Sequence, residues 1–96
     1  MRRELKDSFH YVAWRRGESG HLYLRGEYVW QDEETLSEVV RDGTKWRVVP
    51  WSWGHDPAHV GPMAVLSTRF PTARAAKQRA EAIVLEQLVR GDDRWR

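Results

Sequence analysis

The chain of 96 residues contains no cysteine. That excludes a disulfide framework, thiolate-held zinc and a cysteine nucleophile, and it suits a reducing compartment. Long apolar runs are also missing. Stretches such as Ile83-Val84-Leu85 fall far short of the roughly 20 residues that cross a membrane, so no membrane partner is expected. The opening residues, Met1-Arg2-Arg3-Glu4-Leu5-Lys6-Asp7, carry charge without the apolar segment of a secretory signal, and the expected location is cytoplasmic. No serine sits in a nucleophile-elbow pattern and no glycine-rich loop resembles a phosphate cradle. The chain is therefore expected to be no enzyme and to need no cofactor.

What is present is bulk and charge. Hydrophobic residues make up 41% and charged residues 31%, with six Trp, three Tyr and two Phe, which is the balance of a folded rather than a disordered chain. The length sets one domain, 1–96, with 1–7 and 92–96 as flexible tails. The net charge of +2 conceals a distribution. Residues 1–30 hold six basic and four acidic groups, 31–60 three and six, and 61–96 seven and four. Two basic arms around an acidic centre could put cations on one face of the fold, although a mixed solvated surface has the same composition.

The C-terminal part reads as a helix. Thr72 follows Phe70-Pro71 and is a good N-cap for residues 73–90, which Gly91 would end in a left-handed conformation. Alanines and straight-chain residues favour the helix intrinsically. Ala76, Ala80, Ile83, Val84, Gln87 and Leu88 form one stripe, its first half small enough to lie close to a sheet.

The sheet is read from alternation and turns. Asp42-Gly43 lies between Glu38-Val39-Val40-Arg41 and Thr44-Lys45-Trp46-Arg47-Val48-Val49, a strong hairpin signal. With Asp42-Gly43 as the two-residue loop, Val39 faces Trp46 and Glu38 faces Arg47 as an ion pair. Ser37, Val39, Trp46 and Val48 then share one face, and Glu38, Val40, Lys45 and Arg47 the other. Residues 9–15 and 21–25 flank Gly17-Glu18-Ser19-Gly20 as a looser hairpin, with Gly26 ending the second strand or bulging it. Residues 31–34 are an acidic connection, for which a short helix through Leu36 is the competing reading. Residues 54–62 read as a loop and 63–67 as the last strand. The fold class is thus α+β: an antiparallel sheet of about four to five strands with one long C-terminal helix packed on one face.

The segments Val40-Arg41-Asp42-Gly43, Lys45-Trp46-Arg47-Val48 and Phe70-Pro71-Thr72-Ala73-Arg74-Ala75-Ala76-Lys77 resemble small proteins of actinobacterial phages and their hosts. They also resemble the N-terminal arm-binding domains of phage-type tyrosine integrases, related to the AP2 DNA-binding fold. The likeness covers about residues 38–90. It implies a sheet that enters the DNA major groove and a bacterial host cytoplasm. Recombinase chemistry is not expected, and residues 50–66 are longer and more aromatic than the short basic strand pair of that family.

Two candidate surfaces follow. Arg41, Lys45 and Arg47 lie on or beside the hairpin, while Arg69, Arg74 and Lys77 surround the helix start, and both suit phosphates. Their expected partner is DNA. Trp51 and Trp53, two apart on an extended segment, face one way and suit a host protein, a second copy of the chain or unstacked bases. Trp95, in the charged tail, is the tryptophan expected to dock on the sheet or on another copy. Trp14, Trp30 and Trp46 are expected in the core. His55 and His59 have helical ligand spacing, but Pro57 and the neighbouring glycines deny them a helix, so no metal is expected. His10 and His21 sit on strands with no carboxylate placed beside them by the sequence.

Overall fold

Alternating apolar residues in 36–48 and a helical stripe in 76–88 require a sheet with one buried face and a helix to cover it. The computed structural model describes residues 1–27, 32–52 and 61–94, residues 91–94 by backbone alone. It has a short helix α1 (Arg3–Ser8), strands β1 (Tyr11–Arg16), β2 (Leu22–Glu27), β3 (Glu34–Asp42), β4 (Lys45–Ser52) and β5 (Gly61–Pro62), and helix α2 (Ala73–Arg94). The strands form one antiparallel meander in the order β1-β2-β3-β4-β5. Residues 32 and 33 therefore lead into a strand, not a helix. Val39-Val40 favours that outcome, since β-branched side chains suit the pleated surface.

The two long hairpins turn by different means. Between β1 and β2, Ser19 and Gly20 take φ of 60° and 76°, and Gly17 N–H donates to His21 O at 2.8 Å. Between β3 and β4, Asp42 pairs with Lys45, so the loop is Gly43-Thr44 and not Asp42-Gly43. Gly43 alone has positive φ there, 63°, and a Gly-X loop needs its glycine first. Val39 consequently faces Val48, two positions beyond the expected Trp46. An even offset leaves every side chain on its expected face.

One irregularity shapes the core. Leu24 pairs with Ser37 but Arg25 pairs with Thr35, so β3 carries Leu36 as an extra residue. Leu36 and Ser37 are both fully buried, as a bulge that turns two successive side chains inward allows. The bulge lies in β3, whereas Gly26 continues β2. A Cβ on Gly26 would come within 2.6 Å of Leu36 Cδ1 and 3.0 Å of Phe9 Cδ1, so the core closes over this glycine.

Helix α2 covers the face bearing Leu24, Leu36, Val39 and Val48. One cluster gathers Leu5, Phe9, Leu24, Leu36 and Val84; the other gathers Val39, Val48, Ala76 and Ala80. The alanines bring the first half of α2 close to the sheet. Half-buried Trp14 packs against both clusters and Trp46 against the second. Thr72 Oγ1 accepts from Ala75 N–H at 3.1 Å, the N-cap bond its position promised. At the other end the helix runs through Gly91 to Arg94. A glycine inside a helix costs only about 1 kcal/mol, which does not by itself stop one.

Two segments differ from expectation in kind. Residues 1–7, read as a flexible tail from the sequence, instead contribute all but the last residue of α1 (Arg3–Ser8) and bury Leu5 completely. The last strand is Gly61–Pro62 rather than 63–67. Beyond it the chain touches β4 only at intervals: Met63 N–H to Pro50 O, Leu66 N–H to Val48 O, and a mutual pair between Trp46 and Phe70. Residues 50, 48 and 46 step by two while 63, 66 and 70 step by three and four. The surplus residues loop outward, leaving Met63 and Val65 exposed.

Candidate nucleic-acid interface

Strand parity decides where the hairpin cations go. Asp42, Lys45 and Arg47 lie on the sheet face away from α2. Arg41, opposite Trp46, lies on the helix side. There the Arg41 guanidinium stands 5.7 Å from the Trp46 ring centre, and its Nε donates to Gly43 O at 3.1 Å. The Trp46–Phe70 pairing brings the stretch before α2 to the same end of the sheet. Arg69 reaches from it to Asp42, with Nε 3.3 Å from Oδ2, and Arg47 Nε lies 2.8 Å from that same oxygen. The Arg47 N–H is not aimed along this contact, so it is an ion pair without hydrogen-bond geometry.

Arg47 and Arg69 thus meet on one carboxylate, with Lys45 opposite it in the strand pairing, a formal +2, while Arg41 stays on the other face. Arg74 is exposed in the first turn of α2, five residues beyond Arg69. Lys77 belongs elsewhere: its Nζ stands 5.7 Å from the centre of the Trp14 ring on β1. At the β1 side of the sheet, Arg15 and Arg25 likewise share one carboxylate, Glu33, at 3.9 and 3.5 Å.

The expected Glu38–Arg47 ion pair does not form. The two-residue offset places Glu38 opposite Val49 and Arg47 opposite Val40. Glu38 is buried and holds two other partners: Trp51 Nε1–H donates to Oε1 at 3.1 Å, and His21 Nδ1 lies 2.9 Å from Oε2. An ionised carboxylate only accepts, so His21 donates through Nδ1. His21 does have a carboxylate beside it, contrary to the sequence reading. The β2–β3 pairing that sets Tyr23 opposite Glu38 brings it there. Trp51 is half-buried with its polar edge committed to this pair. Trp53, Trp95, Trp30, His55 and His59 lie outside the residues whose side chains are described.

Tyr23 completes this group. Its ring lies where a Cβ on Gly17 would be, 2.3 Å from Cε2, so Gly17 makes room for it. Burial, then the charges of Glu38 and Glu18, raise the Tyr23 phenol above its ordinary value. The folded chain then holds the phenolic proton more tightly than the unfolded one. The resulting stabilisation is complete below pH about 10 and is lost as pH rises through the folded value. Phenolate absorbance titration of wild type and Tyr23→Phe should show one tyrosine ionising above the ordinary range and absent from the variant. A difference curve centred on the ordinary value would contradict this.

Among the described residues no group of three or more His, Cys, Asp or Glu comes together to hold a metal. No described helix is long and apolar enough to cross a membrane. Comparisons of the chain with family models, with curated proteins and with solved structures give no match in any of the three.

Proposed function

We propose that this is a small non-enzymatic DNA-binding accessory protein that grips the phosphate backbone with the β3–β4 end of its sheet. The observation that carries the reading is the meeting of Arg47 from β4 and Arg69 from the stretch before α2 on the single carboxylate of Asp42, with Lys45 opposite it in the strand pairing. Cations gathered at one place, with Arg74 at the adjoining helix start, suit successive phosphates better than the same charges scattered over the surface. The resemblance to phage-type arm-binding domains points the same way and suggests a bacterial cytoplasm. Docking of a host protein or a second copy through tryptophans is the weaker reading, because the indole N–H of Trp51 is already bonded to Glu38.

Lys45 gives the cleanest test, since it is exposed and lies outside both core clusters. Lys45→Glu should weaken binding of a short mixed-sequence duplex about tenfold at low salt, with an unchanged melting curve. Arg90→Glu, at the far end of α2, should leave affinity nearly unchanged. Equal losses in the two variants would remove the hairpin end as the site.

A further inference from the structure

Arg47 and Arg69 share one anionic atom. Their Nε atoms lie 2.8 and 3.3 Å from Asp42 Oδ2, and Lys45 stands opposite Asp42 in the strand pairing. One carboxylate oxygen therefore sits between guanidiniums from β4 and from the stretch before α2, with an ammonium-bearing residue across from it. The Asp42 and Arg69 sides of the arrangement face solvent, at 41% and 56% exposed, whereas the Arg47 side chain is half-buried at 27% with its Nε covered. A phosphate oxygen makes the same demand on arginine as a carboxylate oxygen does: short, charge-assisted contacts from planar N–H donors.

We infer that this seat receives a single phosphodiester group and that Asp42 is its resident competitor, occupying the place of a phosphate oxygen until nucleic acid displaces it. The inference rests on the nucleic-acid reading of the same surface. It has a distinctive sign. If Asp42 merely held the two arginines in position, its removal would weaken binding. If Asp42 competes with phosphate, its removal strengthens binding, because its ion pairs no longer have to be broken before the arginines engage.

The test compares wild type with Asp42→Asn, which keeps the size of the side chain and removes its charge, against a fluorescently labelled short duplex read by anisotropy. At about 50 mM salt the variant should bind roughly three- to tenfold more tightly, and its affinity should fall more steeply towards about 200 mM, by close to one further counterion. In Asp42→Asn/Arg47→Gln the gain should disappear. Arg69→Gln alone should weaken wild-type binding about threefold; Arg69 lies outside regular structure, so this readout stands even if Asp42→Asn misfolds. Wild-type binding with no gain in Asp42→Asn, or a gain that survives Arg47→Gln, overturns the competitor role and leaves the broader reading in place. Absence of binding by every form at low salt removes both.

Discussion

Replacing Glu81 with alanine should lower the free energy of unfolding by about 3 kcal/mol, in the range for a buried polar partner lost together with side-chain volume. Glu81 lies on α2 beside the core stripe and is only 5% exposed. Its two oxygens serve different parts of the chain: Oε1 accepts from the backbone N–H of Arg2 at 2.9 Å, and Oε2 from Trp14 Nε1–H at 3.1 Å. One carboxylate thus ties the start of α1 and the β1 edge of the sheet to the long helix. Alanine would strand two donors and remove the volume around which Trp14 packs. A small domain has about 5–15 kcal/mol in all, so the loss would be visible in denaturant unfolding as a lower midpoint at unchanged slope. Glu81→Gln keeps the volume and one acceptor but turns an amide N–H₂ towards a donor, and about half the loss should remain. A change below about 0.5 kcal/mol in Glu81→Ala, the size of an ordinary surface substitution, would show that these bonds do not fasten α1 and Trp14.

How much of this was legible in the sequence depends on the range of the interaction. The cap at Thr72 and the stripe Ala76, Ala80, Val84 could be read because both are set by neighbours within one or two turns. The faces of the β3–β4 hairpin could be read for the same reason. Its register could not, since glycine satisfies a positive φ as the second loop residue in Asp42-Gly43 and as the first in Gly43-Thr44. Everything that depended on β2 meeting β3 was hidden: the extra residue Leu36, the close approach over Gly26, and the carboxylate of Glu38 beside His21. Glu81 was hidden too. A charged residue next to a core stripe reads as solvated until its partners, Trp14 and the backbone of Arg2, arrive from sixty to eighty residues away.

The candidate site divides in the same way. Arg41, Lys45 and Arg47 were assigned to one surface by their nearness in sequence, whereas parity sends Arg41 to the opposite face. That Arg69 joins them through Asp42 follows from the Trp46–Phe70 pairing, which no local pattern announces. The tail assigned to residues 1–7 failed at Leu5. One leucine among charges carries no periodicity, although it is enough to anchor a short helix when a cavity between sheet and α2 receives it.

The central claim is that the hairpin end meets phosphates, and the salt dependence of wild-type binding to duplex DNA tests it most directly. Three to four phosphate contacts, matching the cations gathered there, give a slope of log affinity against log salt of about −2.7 to −3.6. Between about 50 and 200 mM salt the affinity should therefore fall roughly forty- to one-hundred-and-fifty-fold, followed through tryptophan fluorescence. Trp46, under Arg41 on the other face of the same hairpin, is a reporter within the hairpin. A steep fall of this size is the result predicted. Affinity that hardly changes with salt, or no fluorescence change with DNA even at the lower salt, would contradict the account.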